Sequence, residues 1–403
     1  MSKKHQPAKA IQSLKDFGEF GGVNPSITDS ATFTFLGAKT MLDTFEGEAE
    51  GCFLYSRHWN PSNKYLADAL AKMENTESAW VTASGMAAIT NTILQLCNSG
   101  DHIVSSITTY GGTYAFFMNY LKKFNITTTL VDITDFKAVK EAIQPNTKVL
   151  YTETMTNPLL QISDIPELSK IAKEKNVKLV VDNTFTPMIV SPANLGADIV
   201  VYSMTKFING KNDCVAGAIC ASNDFINALS SVNDGTSMLL GPALDPLRSS
   251  SILKNIYTLH IRMKQHSYNA AYLAKKLTDY KELNVIYPGL ESNNGHKLLR
   301  EMKNHGFGYG GMIAIDLKTA ERASKFMESM QDKGVGYLAV SLGYFITIFS
   351  NSGSSTSSEV PIETQHKMGL SPGLVRFSVG LDHDIKDTWK KIKATIKEMK
   401  IEK

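Results

Sequence analysis

The stretch "ADIVVYSMTKFINGK", residues 197–211, sets a lysine among small hydroxyl residues just beyond an apolar run. A run of β-branched residues bounded by turn signals reads as a buried strand. Lysine is strongly hydrated and belongs at a surface. Lys206, beside Ser203 and Thr205, is therefore carried to the end of a core strand for a reason that packing does not supply.

Working outward, the same rhythm repeats from residue 61 to about 250. The runs "SAWVTAS", "DHIVSS", "TTTLVDI", "KVLYTET", "VKLVVDNT" and "ADIVVYS" read as strands. The segments "KYLADALAKME", "GMAAITNTILQLC" and "DIPELSKIAKEK" carry apolar residues at helical spacing. Strands alternating with helices predict an α/β fold with a mostly parallel central sheet covered on both faces. Ligands of such sheets gather at the carboxyl ends of the strands. After residue 250, "SILKNIYTLHIRMKQHSYNAAYLAKKL" is helical, and "GGMIAIDL" and "LVRFSVG" suggest a smaller α/β domain. The expected division is an arm over 1–60, a ligand-binding domain over 61–250 and a C-terminal domain over 251–403. The Ser-rich stretch 350–361 reads as an ordered loop or lid.

Composition removes several alternatives. The chain has 403 residues, 43% of them hydrophobic, and Lys+Arg exceed Asp+Glu by only 42 to 39. That balance offers no electrostatic footprint for nucleic acid or a membrane surface. No apolar run is long enough to span a bilayer, and the basic N-terminus lacks the apolar core of a secretory signal. Cys52, Cys97, Cys214 and Cys220 have no metal-site spacing, so no metal is expected and a reducing cytoplasm is the expected location.

Three strand ends carry chemistry. Asp182 closes "VVDNTF", Lys206 follows "VVYSMT", and Ser84-Gly85-Met86 opens a helix in "TASGMAAI". Singly, each has an ordinary reading: a turn cap, a lysine reaching solvent, an N-cap. Together they meet three demands of pyridoxal phosphate. A helix N-terminus opened by glycine suits a phosphate. A shielded lysine can form a Schiff base. A buried carboxylate can hold a pyridinium nitrogen protonated. A dinucleotide reading needs G-x-G-x-x-G between a strand and a helix, and neither "GGVNPS" nor "GFGYGG" stands there.

From "YSRHWNPS" to "LVRFSVGLDH" the chain resembles the cysteine/methionine-metabolism family of pyridoxal-phosphate enzymes. "YSMTKFINGKNDCVAGA" is similar to that family's lysine signature, and "YGGTYAFF", "ETMTNP", "DNTF" and "SLGYFITI" follow in family order. The resemblance implies fold type I and a homotetramer of paired dimers. It implies that Lys206 carries the cofactor and then moves protons, that Asp182 pairs with the ring nitrogen, and that Gly85, Met86, Ser203 and Thr205 hold the phosphate. Tyr110 would stack on the ring and act in acid–base steps, and Asn157 would approach the ring hydroxyl. Tyr55 and Arg57 would reach the phosphate of a neighbouring subunit. Arg376 would clamp the substrate carboxylate, with Ser341 and Val340 in the substrate pocket.

The family's reactions divide by what leaves or enters at Cβ or Cγ. Cystathionine-handling members commonly have Glu where this chain has Val340. An apolar wall leaves a distal charge unpaired, which suits a thioether. "SGSSTSSE" and the tail that follows it resemble the plant-type methionine γ-lyases. The expectation is α,γ-elimination from L-methionine, with an O-acylhomoserine sulfhydrylase or a cystathionine synthase or lyase as the alternative. Gly112, Lys211 and Asn233 depart from the residues common in the lyases.

Overall fold

The computed structural model describes residues 5–46, 49, 51–352 and 359–403. Seven strands form the central sheet in the order β1-β7-β6-β5-β4-β2-β3. They are β1 (Ser78–Thr82), β2 (His102–Ser106), β3 (Thr127–Val131), β4 (Thr147–Glu153), β5 (Lys178–Asp182), β6 (Ile199–Ser203) and β7 (Gly217–Ala221). Strands β2 to β6 pair in parallel, and β7 runs antiparallel between β6 and β1. The sequence reading missed β7, whose "GAICA" is short and poor in β-branched residues.

The strands are buried on both faces, which is why they read as continuous apolar runs rather than alternating ones. Leu179 and Val181 pack into the core on one face, and Val180 into the core on the other. The helix Pro61–Glu74 covers the first face, and Gly85–Leu96 the second. The first of these starts at Asn60, whose side chain accepts from Ser62 N, with Pro61 pre-set in the first turn.

The chain order reverses direction across the sheet: β2 leads to β3 on one side, then β4, β5 and β6 step away on the other. Reversal of this kind opens a crevice at the carboxyl ends. A second sheet, order β8-β11-β10-β9, stands beside it with β8 (Met312–Asp316), β9 (Tyr337–Leu338), β10 (Ile348–Asn351) and β11 (Leu374–Ser378). Its core is shared with the helices Leu259–Leu277, Ala320–Asp332 and Ile385–Glu398. The long helical stretch after 250 is two helices, Pro246–Ile256 and Leu259–Leu277, and residue 250 lies inside the first. Within 350–361, residues 353–358 lie outside the described residues.

Residues 5–46 run mostly without regular structure, with short helices at Pro7–Gln12 and Ala38–Phe45 and a 3-10 turn at Glu19–Gly21. Large apolar side chains along it, among them Phe20, Val23 and Leu36, face outward.

Candidate active site

A cavity of about 310 Å³ opens at the carboxyl ends of the central strands. Eleven of the thirteen residues singled out from the sequence line it: Gly85, Met86, Tyr110, Asn157, Asp182, Ser203, Thr205, Lys206, Val340, Ser341 and Arg376. Tyr55 and Arg57 do not. Arg57 is exposed and donates from Nη1 to Met238 O at 2.6 Å, and its guanidinium lies 5.9 Å from the Tyr55 ring centre.

Each wall follows from local structure. Ser84 caps the helix Gly85–Leu96, its side chain accepting from Ala87 N at 3.0 Å. The first backbone bond of that helix is Ala88 N to Ser84 O, so the N–H groups of Gly85 and Met86 have no intrahelical partner. Gly85 is required here: a Cβ would lie 2.6 Å from Ser203 Cβ. The approach brings a helix N-terminus against the Ser203 hydroxyl across β1 and β6. Thr205 faces the same cup, but its hydroxyl is shared with Ala216, accepting from N at 3.0 Å and donating to O at 3.3 Å.

Lys206 points into the cavity, Nζ 2.9 Å from Ser341 Oγ. Burial, with the Arg376 cation nearby, pushes its amine down to about 8. Ser341 has φ 97, a conformation costly for a residue with a Cβ. It is held by its links to Lys206, to Asn212 Oδ1 at 3.3 Å and, through its carbonyl, to Arg376 Nη2 at 3.3 Å. Arg376, on β11, is buried and donates from Nη1 to Asn157 Oδ1 at 2.7 Å, while its Nε has no partner among the described residues. Burial lowers its guanidinium to about 10, which leaves it a cation.

Asp182 ends β5. Its Oδ1 accepts from Thr184 N at 2.9 Å, and the Tyr151 hydroxyl is 3.5 Å from Oδ2. Burial raises its carboxyl, which a cation set beside it would reverse. Tyr110 is 41% exposed, its hydroxyl raised by burial and then by Glu359. A Cβ at position 112 would lie 2.6 Å from the Tyr110 ring, so glycine there gives the ring its space. Lys211 and Asn233 stand on the surface outside the cavity.

Sequence reasoning missed Glu153, at the end of β4. It is buried beside Asp182, with which it is in register. Burial and Asp182 push its carboxyl up to about 8, against three donors that favour the charged form. Its signal was present in "ETMTNP", where an acid ends an apolar strand as Asp182 does.

These residues suit pyridoxal phosphate: free helix N–H groups beside hydroxyls for the phosphate, a shielded amine with a lowered proton affinity, a buried carboxylate and an arginine Nε left over. A family model described as "Cys/Met metabolism PLP-dependent enzyme" matches residues 8–397.

The chain belongs to this family.

A methionine γ-lyase of Arabidopsis thaliana is 46% identical over 390 residues, covering 95% of this chain and 88% of its own. A cystathionine γ-lyase of Bacillus subtilis is 38% identical over 331 residues, covering 81% of this chain and 84% of its own. Among solved structures, a chain from Campylobacter jejuni carrying N′-pyridoxyl-lysine-5′-monophosphate aligns with a TM-score of 0.91 at 26% identity, over 97% of this chain and all of the other. The protein is a pyridoxal-phosphate-dependent enzyme of fold type I, and its relatives cleave or form carbon–sulfur bonds.

Proposed function

We propose that this enzyme catalyses α,γ-elimination of L-methionine, which with one water yields methanethiol, 2-oxobutyrate and ammonia. One observation carries the reading. Among the described residues, the only carboxylates lining the cavity are Glu153, whose oxygens accept from Thr109, Tyr110 and Asn157, and Asp182, which on this reading takes the cofactor's ring nitrogen, so neither is left for the far end of a substrate. Val340, 65% exposed, stands at the rim, and Met155, Phe185, Val215 and Leu342 extend an apolar wall. Such a wall takes an S-methyl group and leaves a distal ammonium unpaired. The Arabidopsis relative supports the same choice.

Bound pyridoxal phosphate would supply the electron sink that makes the substrate Cα–H acidic. Gly85, Met86, Ser203 and Thr205 would hold its phosphate, Asp182 its ring nitrogen, Asn157 its ring hydroxyl and Lys206 its aldehyde carbon. Arg376 binds the substrate carboxylate through its fork of donors. The Lys206 amine, released when the substrate's amine replaces it at the aldehyde carbon, would take the Cα proton. The Tyr110 hydroxyl gives a proton to the departing sulfur, a role in which positioned transfer is typically worth about 10²–10⁴-fold.

Tyr55 and Arg57, exposed and outside their own cavity, are proposed to complete a neighbour's phosphate site. The exposed apolar residues of the N-terminal segment support contact with another copy. On this reading residues 1–60 are an arm, 61–250 the cofactor domain and 251–403 a smaller domain, and the dimer pairs into a tetramer. The four unpaired cysteines suit a cytoplasmic enzyme.

A second reading, cystathionine cleavage, is favoured by Glu359, whose charge acts on Tyr110 although it does not line the cavity. The test compares kcat/KM for methionine, cystathionine and O-acetylhomoserine plus sulfide. Preferred turnover of methionine with methanethiol release supports the proposal. A clear preference for cystathionine, or for the acyl ester, replaces it with the corresponding alternative.

A further inference from the structure

Glu153 is committed on both oxygens. Oε1 accepts from Thr109 Oγ1 at 3.0 Å and from Tyr110 N at 2.7 Å. Oε2 accepts from Asn157 N at 2.8 Å. One carboxylate thereby joins the segment that follows β2 to the segment that follows β4. Tyr110 belongs to the first. Asn157, which carries Arg376 on its Oδ1 at 2.7 Å, belongs to the second. Side chains on loops are held less firmly than those on strands, and these two loops meet at a side chain anchored on a strand end.

We infer that Glu153 is a positioning residue, which sets Tyr110 and the Asn157–Arg376 pair at a fixed distance across the cavity. In its ionised form the carboxyl does this because it only accepts and all three neighbours donate toward it; those three donors favour that form against burial and Asp182, and assays above pH 8 read it directly. An amide of the same shape cannot replace it. Whichever way Gln turns, its NH₂ group faces an N–H or O–H donor, and one loop loses its acceptor. The inference rests on Tyr110 being the acid–base residue and Arg376 the carboxylate clamp. It does not rest on which sulfur substrate is preferred.

The experiment uses the holoenzyme with Glu153→Gln, Glu153→Asp, Tyr110→Phe and the two double variants. Rates are read on whichever of methionine and O-acetylhomoserine the parent turns over, so an incorrect substrate assignment leaves the comparison intact. Cofactor content, the visible absorbance band and melting temperature are measured alongside. Glu153→Gln is expected to stay folded and keep its cofactor, melting only a few degrees lower, while kcat/KM falls about 100-fold, the loss typical of a group displaced by about 1 Å. Glu153→Asp, which keeps the acceptors on a shorter stem, should fall between parent and Gln. In the Tyr110→Phe background, Glu153→Gln should cost at least about tenfold less than in the parent, because part of its effect passes through the Tyr110 hydroxyl. The kcat/KM pH profile should lose its alkaline limb both in Tyr110→Phe and in Glu153→Gln. A Gln variant within about threefold of the parent overturns the inference, and so do strictly additive losses. If the Gln variant fails to fold or to hold cofactor, the Asp variant decides. A graded, non-additive loss in well-folded Asp enzyme supports positioning. Parental activity, or failure to fold there as well, assigns Glu153 a structural role.

Discussion

The Lys206 amine and the Ser341 hydroxyl, 135 residues apart in the chain, are 2.9 Å apart in the cavity. One comes from the turn after β6 and the other from the loop between β9 and β10. The contact therefore ties the central sheet to the second sheet at the reacting amine. Ser341 keeps its strained φ 97 because Lys206, Asn212 and Arg376 all converge on it.

The lowered proton affinity of Lys206 predicts how the apo chain takes up its cofactor. Only the neutral amine attacks an aldehyde. With the amine at about 8 rather than its ordinary 10.5, the neutral fraction rises with pH through about 8. The rate of pyridoxal phosphate capture, followed as visible absorbance, should therefore reach half its plateau near pH 8. Borohydride should fix the cofactor to the Lys206 peptide. A rate still climbing steeply at pH 10, or an adduct on another lysine, contradicts the assignment.

Exchanging the rim residue tests what excludes charged side-chain ends. Val340→Glu should lower kcat/KM for methionine by about tenfold, since burying methionine beside a carboxylate leaves that charge poorly solvated. The same change should raise kcat/KM for cystathionine, whose distal ammonium gains a partner. Equal effects on both substrates would show that position 340 does not face the leaving group.

The placement of Arg57 outside its own cavity predicts complementation. Arg57→Ala and Lys206→Ala enzymes, each inactive, should regain activity after their subunits are exchanged. Random pairing leaves about a quarter of all sites intact if each site draws on two subunits. Verified hybrids with no recovered turnover would place Arg57 in a role within its own subunit.

Beneath the sheet, Glu74 predicts an alkaline weakness. It is buried, accepts from Ala193 N at 3.0 Å and from the Tyr202 hydroxyl, and burial pushes its carboxyl up to about 8 from 4.5. A raised carboxyl adds stability that is complete below the unfolded value of 4.5, falls as pH rises from there, and is fully lost once pH passes about 8. The loss is on the order of 5 kcal/mol. Glu74→Gln removes the ionisation, so its melting temperature should fall relative to the parent at pH 5 and rise relative to it at pH 9. Calorimetric curves that stay parallel across that range would refute this account.

What was legible in the sequence is what depends on local pattern. Apolar runs ending in Asp182 and in Ser203 with Lys206 mark strands buried on both faces, and only a ligand site at their carboxyl ends explains the polar residues there. The glycine of "TASGMAAI" likewise marks the start of a helix. Strand β7 escaped because its five residues include two alanines and a glycine, and the neighbours β1 and β6 supply its pairing. Glu153 escaped for a different reason. An acid at a strand end has no visible role until Thr109, Tyr110 and Asn157 are brought around it, and those contacts span up to 44 residues of chain. Arg376 could be expected to bind a carboxylate, but its hold on Asn157 crosses 219 residues. Periodicity reports which face of a strand or helix is buried. Which loops then meet across a crevice is decided by the order of strands in the sheet, and that order is a property of the packed molecule.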